Sequence, residues 1–262
     1  MRNLISLSAV LVLLAASLVS AQTQIEVTVT TAGPVGLAPF FGSFHDGSYS
    51  IFTPGGMASP GLELLAELGD PSVLVGNAPA NVAAAGFAPG GPFAPNGATA
   101  SSIFTVNSSQ TNFSFASMLL PTNDWFIGNS TAIDVSSLVG AAPGASISLS
   151  PAMVYDAGTE AEDFMYAPGL PLVGLTPPPG HDPMGGTVEA NPIALVTGAD
   201  PFAGIPNLLP ADFDTSSIDF TGGPIATVTL TVVPEPASFS LLAIAGLGLL
   251  GLRRRSRRSR RS

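Results

Sequence analysis

The chain has 262 residues, no cysteine and only 10% charged side chains, with 29 Gly and 25 Pro. Disulfides, thiol nucleophiles, Cys-based zinc sites and iron–sulfur clusters are therefore excluded, and the Gly and Pro content points to one or at most two loop-rich, mainly β domains. The charges are segregated: all eight basic residues are arginines, Arg2 and seven between Arg253 and Arg261, whereas residues 22–233 carry 17 Asp and Glu and no Lys or Arg. Such a segment has no cations with which to neutralise phosphates, so nucleic acid is not an expected partner, while cations and basic partners are favoured.

Residues 1–21 begin with Arg2, continue through an apolar run at Leu11, Val12, Leu13 and Leu14, and end on Val19-Ser20-Ala21. That order predicts a secretory signal peptide, with the mature chain starting near Gln22. Gln24–Thr30 alternates apolar and polar residues rich in β-branched side chains, the pattern of a strand with one buried face. Strands are likewise predicted at Ser102–Val106, Asn112–Leu120, Ala145–Tyr155, Ile193–Thr197, Ser217–Phe220 and Ile225–Val232. One short helix is expected at Pro60–Leu68, with Leu62, Leu64, Leu65 and Leu68 on one broad side and Glu63 and Glu67 facing water. Asn77–Ala100 and Gly174–Asn191 read as long connections, and no internal repeat of fixed period is present. Short strands separated by Gly, Pro and Asn clusters predict an all-β sandwich or barrel over residues 22–233.

After Val233 the chain changes character. Pro234-Glu235-Pro236 is followed by sixteen uncharged residues, Ala237 to Leu252, and then by a block that includes Arg253, Arg254, Arg255, Arg257 and Arg258. Sixteen residues at helical rise span about 24 Å, slightly short of the roughly 30 Å of a hydrocarbon core. The arginines keep the distal end cytoplasmic and orient the rest of the chain outward. Residues 234–262 resemble the bacterial PEP-CTERM sorting signal. The resemblance implies recognition by an exosortase, transient anchoring in the inner membrane by the helix 237–252, and release to a cell surface or an exopolysaccharide-associated matrix.

Three further islands stand out in the domain: Phe44-His45-Asp46-Gly47-Ser48-Tyr49, Pro121-Thr122-Asn123-Asp124-Trp125-Phe126-Ile127-Gly128 and Tyr155-Asp156-Ala157-Gly158-Thr159-Glu160. Together they resemble the bacterial branch of the spondin N-terminal domain family. The resemblance implies an eight-stranded antiparallel β-sandwich related to C2 domains, and a calcium site whose ligand positions match Asp124, Asp156 and Glu160. A further acidic ligand of some animal members has no counterpart here, because Asn96–Gln110 contains no carboxylate. The residues allow such chemistry on their own terms. Asp124 follows one predicted strand, Asp156 and Glu160 end another, and Gly158 permits a tight turn between them. Calcium takes six to eight oxygen ligands from carboxylates, carbonyls and water.

Plain solubilising loops are the competing reading of these acids, and Glu162 and Asp163 read as a solvated face. Trp125, the only tryptophan, is expected to pack in the sandwich. His45-Asp46 is assigned to bridging a turn; a hydrolase built on the pair is the rival, although neither a Gly-x-Ser-x-Gly elbow nor a His-Glu-x-x-His motif occurs. The expected function is a non-enzymatic, exported, calcium-binding adhesion or scaffolding protein, with a calcium-assisted carbohydrate-binding module as the alternative.

Overall fold

The computed structural model describes residues 22–197, 202–207 and 223–235. The predicted signal peptide, the strand expected at Ser217–Phe220, Pro236, the apolar helix 237–252 and the arginine block all lie outside the described residues. Among the described residues no helix is long and apolar enough to cross a membrane.

Twelve strands are described: β1 (Thr23–Thr31), β2 (Gly36–Leu37), β3 (Phe40–His45), β4 (Ala83–Phe87), β5 (Thr99–Val106), β6 (Asn112–Leu120), β7 (Trp125–Gly128), β8 (Ile133–Asp134), β9 (Ser146–Leu149), β10 (Val154–Asp156), β11 (Ala194–Leu195) and β12 (Ala226–Val233). They form two antiparallel sheets. The first runs β5-β1-β12-β9; the second runs β11-β10-β7-β6-β3-β4, with β2 and β8 also paired to β6. Helices α1 (Pro60–Leu68) and α2 (Ser72–Gly76) and a 3₁₀ turn at Leu170–Val173 complete the elements, so two helical pieces join the single one expected.

The period-2 rule explains the layering. In β1 the inward residues Ile25, Val27 and Val29 are fully buried, and in β12 Ala226, Val228 and Leu230 are too. The intervening Glu26, Thr28 and Thr229 remain part-exposed, so the first sheet is covered on one side. The second sheet is covered on both. Phe40, Phe44, Phe113, Phe115, Trp125, Ile127 and Val154 point into the core between the sheets. Phe41, Ala116, Phe126 and Tyr155, displaced by one residue along the same strands, point the other way, onto Leu62, Leu65 and Ala66 of α1. β6 is consequently buried from Phe113 through Leu120.

Helix α1 occupies the predicted residues. Ser59 Oγ accepts the Leu62 N–H at 3.3 Å as N-cap, Pro60 opens the first turn, and Gly69 closes the helix at φ 66°. Its buried stripe differs from expectation: Gly61, Leu62, Leu65 and Ala66 are buried, while Leu64 is part-exposed, Leu68 is 43% exposed and Glu67 is half-buried rather than free in water.

Two other expectations are corrected. Ala145–Tyr155 is not one strand. Its first half, β9, pairs with β12 in the first sheet, and its second half, β10, pairs with β7 in the second. Pro151 lacks the N–H that a continuous ladder would need, and the chain crosses between sheets over Ser150–Met153. Asn77–Ala100 is not a bare connection either. It contains β4, an Ala-rich strand paired with β3, and Phe93, which is fully buried and exchanges backbone hydrogen bonds with Leu37 at 2.7 and 3.1 Å. Gly174–Asn191, by contrast, contains no strand, only a bridge between Glu160 and Val188.

Gly69 meets two constraints at once. Its left-handed backbone disfavours any side chain, and a Cβ there would overlap the Ala38 Cβ. Gly69→Ala is expected to lower stability by roughly 2 kcal/mol or more in urea unfolding. Gly76→Ala, which points into open space without a positive φ, is expected to stay within about 0.5 kcal/mol of the parent.

Candidate functional site

The site is built where two strand ends of the second sheet coincide. β6 ends at Leu120, the chain turns through Pro121–Asp124, and β7 starts at Trp125. Thr122 secures the turn, its Oγ1 donating to the Leu119 carbonyl at 2.6 Å and accepting the Trp125 N–H at 3.2 Å. β10 pairs with β7 so that Asp156 stands opposite Trp125, and Ala157 N–H donates to the Asp124 carbonyl at 3.3 Å. The register thus places Asp124 and Asp156 at the same sheet end.

The loop after β10 folds over that end. Asp156 Oδ1 accepts the Gly158 N–H at 2.7 Å. Gly158 has φ 70°, and a Cβ there would overlap the Asn191 carbonyl, so glycine is required. Residues 158–161 then pair with 187–191: Asn191 N–H donates to Gly158 O at 2.9 Å, Glu189 N–H to Thr159 O at 2.7 Å and Ala161 N–H to Thr187 O at 2.9 Å.

Asp124 has no exposed surface. Its Oδ2 accepts three hydrogen bonds, from Thr159 N–H at 2.7 Å, Glu160 N–H at 3.0 Å and Thr159 Oγ1 at 3.1 Å. Its Oδ1 is buried without a hydrogen-bond partner. Glu162 returns from the other side: Oε1 and Oε2 each accept the Asn123 N–H at 3.2 Å, and Oε1 lies 3.5 Å from the Asp124 N–H. Asn123 Oδ1 in turn accepts the Asp163 N–H at 3.1 Å.

Of the three predicted ligand positions, Asp124 and Asp156 are near enough to repel one another. The Glu160 carboxylate turns from that pair toward the Asn123 side chain. It faces Glu67 of α1 and packs so closely on Gly186 that a Cβ there would overlap it; only the Glu160 backbone reaches Asp124. Among the described residues no three His, Asp or Glu side chains form a metal-holding group. Glu162, read from sequence as a solvated face, is instead tied to the Asn123–Asp124 backbone. No local signal separates it from other surface acids, because its partner lies 39 residues away.

The electrostatics follow from burial without cations. Burial, then the neighbouring Asp156 charge, pushes Asp124 up to about 7 against three opposing hydrogen bonds. Burial, with Asp124 beside it, holds Glu162 well above the ordinary carboxylate range. Burial also raises Asp156, with Glu189 adding to it, and raises Glu160, with Glu67 adding to it.

His45 and Asp46 point to different tasks. His45 is fully buried, and its Nδ1 accepts the Gly47 N–H at 3.1 Å, which bridges the turn. A ring nitrogen that accepts carries no proton, so the neutral imidazole bears its hydrogen on Nε2 and donates it to Ser114 Oγ at 2.9 Å. A base that activates serine needs the opposite arrangement. Asp46 does not orient the ring; it accepts from Ser48 N–H at 3.0 Å and from Asn81 Nδ2 at 3.3 Å. Trp125 is buried against Phe202, ring centroids 5.6 Å apart.

The acids of the site are raised in the folded state above their unfolded values. Their contribution to stability is therefore fully present below about pH 4 and is lost as pH rises through the folded values, near 7 for Asp124. In chelator, the melting temperature is expected to be roughly 5 °C higher at pH 5 than at pH 8, and Asp124→Asn is expected to remove most of that difference. His45, which burial holds below its ordinary value, works in the other direction below about pH 6.5.

The chain matches two family models: Spondin_N over residues 31–168 and the PEP-CTERM protein-sorting motif over residues 232–258. Comparison with curated proteins finds no match. The Spondin_N match ends before the segment 187–191 that closes the site, and it omits most of β1 and all of β12, which complete the first sheet. The sorting motif marks the protein as an exosortase substrate directed to the cell surface. The acids Asp124, Asp156, Glu160 and Glu162 lie within the matched residues, and the chain belongs to the spondin N-terminal domain family, with a PEP-CTERM sorting tail.

Proposed function

We propose that this protein is a calcium-binding adhesion or scaffolding domain, delivered by its sorting tail to a cell surface or an exopolysaccharide matrix. The observation that carries the reading is Asp124: one carboxylate oxygen is saturated by three donors, while the other is buried without a partner beside Asp156. No lysine or arginine exists between residues 22 and 233 to neutralise the pair. The donor set suits the metal, since calcium prefers hard carboxylate and carbonyl oxygens and tolerates irregular geometry. Asp124 and Asp156 would hold the ion, with backbone carbonyls and water completing the shell; Glu160 would join only by turning from Glu67. Bound calcium supplies two positive charges that compensate the buried carboxylates. The chain's residues do the rest: β6, β7 and β10 present the acids, and the 158–161 and 187–191 pairing holds the loop over them. Ordering of these loops would give a partner a rigid rim. With Trp125 buried, a glycan-binding reading has no exposed tryptophan to rest on.

Calorimetric titration and thermal melting with calcium test the proposal. One saturable site of about 10⁻⁴–10⁻³ M is expected, in the range of extracellular modules. At a hundredfold excess over the dissociation constant, stability should rise by about 2.7 kcal/mol. Asp124→Asn and Asp156→Asn should each abolish the calcium-dependent rise, and Asp124→Asn should itself melt above the parent in chelator at pH 8. Identical melting with and without several millimolar calcium would overturn the reading.

A further inference from the structure

We propose that Glu162 is a positioning residue for the acidic edge, aiming Asp124 at a cation through the backbone rather than ligating the ion itself. The inference rests on the calcium reading above and deepens it. Three side chains that cross between the Pro121–Asp124 turn and the loop after β10 end on the other segment's backbone, and the Thr159 hydroxyl crosses to Asp124 Oδ2 as well. Asp124 Oδ2 takes the amides of Thr159 and Glu160; Asn123 Oδ1 takes the amide of Asp163; Glu162 takes the amide of Asn123 with both oxygens, with the Asp124 amide 3.5 Å from Oε1.

Glu162 differs from the other two in what it leaves behind. Both its oxygens face one N–H, so its carboxylate is committed to the peptide that carries Asp124. The result is a turn anchored at its backbone by Glu162 and at its side chain by residues 159–160. Asp124 Oδ1 remains buried without a hydrogen-bond partner. Without the Glu162 anchor the Asn123 and Asp124 amides lose their acceptor, and the peptide is held only through its carbonyl and side chains, by Ala157, Asp163 and residues 159–160, so the direction of Oδ1 is less tightly set. Partners that orient first ligands in this way commonly govern metal affinity by about 10- to 100-fold.

The test uses the full-length chain as wild type, Glu162→Gln and Glu162→Ala. It reads calcium affinity by calorimetry and, in chelator, hydrogen exchange at the Asn123 and Asp124 amides. Glu162→Gln keeps an oxygen that accepts from Asn123 and is expected to retain most of the affinity and the amide protection. Glu162→Ala is expected to weaken calcium binding about 10- to 100-fold and to speed exchange at Asn123 and Asp124. Equal loss in both variants with amide protection kept in Glu162→Gln would identify Glu162 as a ligand and overturn the proposal. Unchanged affinity in Glu162→Ala would overturn it as well. If the wild type binds no calcium, the calcium reading fails and the proposal with it; faster exchange in Glu162→Ala would then leave Glu162 as a clamp of the turn alone. Should Glu162→Ala not fold, the comparison of Glu162→Gln with the wild type still separates ligation from positioning.

Discussion

Carboxylates buried in a domain without a single lysine or arginine have to be held by something other than ion pairs. Here the holders are backbone N–H groups. A carboxylate can accept several amide hydrogen bonds, and those bonds favour its charged form. The three donors on Asp124 Oδ2 work in that direction, yet burial and the Asp156 charge outweigh them and Asp124 is still raised to about 7. The edge is therefore electrostatically under-compensated. Most other features of this end of the molecule bring amides to those acids or close the loops around them.

The sandwich is what makes this possible. Asp124 and Asp156 come from segments about thirty residues apart, and only the β7–β10 register brings them to one sheet end. That register depends on the second sheet being packed on both faces, by the first sheet and by α1. A slip of one residue would exchange Phe126 and Ile127 between two different cores. The same packing fixes Trp125 inside, and α1 carries Glu67 to the edge, adding one more acid to a region already rich in them. The loop crossings then act on a rigid frame. Backbone–backbone pairing between 158–161 and 187–191 ties down a connection that otherwise has no strand of its own.

The location of the protein agrees with this chemistry. An exosortase substrate spends its working life outside the cytoplasm, where millimolar divalent cations are common. The absence of cysteine leaves the fold without disulfides, resting on its core and its hydrogen bonds. A domain of this kind gains by mass action from any ligand that binds only the assembled edge.

Much of this was legible from the residues in order. The strict alternation of Gln24–Thr30 and Ile225–Val232 located β1 and β12, the Pro-start and Gly-stop pattern located α1, and two short islands, Pro121–Gly128 and Tyr155–Glu160, located the edge, while the third, Phe44–Tyr49, lies at the opposite end of β6. These signals are local, carried by side chains a few positions apart, and local preferences are what a sequence states directly. The division of Ala145–Tyr155 between two sheets was not legible, because its apolar alternation runs on as though it were one strand and the partners that separate its halves, β12 and β7, are remote. β4 was not legible either, because Ala-Ala-Ala-Gly-Phe has no alternation; it is a strand because β3 offers a ladder and Gly86 lets Pro71 approach. The acidic edge divides in the same way. The sequence by itself determined that carboxylates would gather in loops free of cations. Only the tertiary structure decided that Asp124 would be buried with one oxygen bare, that the Glu160 carboxylate would face Glu67, and that Glu162 would grip a turn 39 residues away. Burial and hydrogen-bond partnership are set by which distant backbone reaches a side chain first, and spacing along the chain does not encode that.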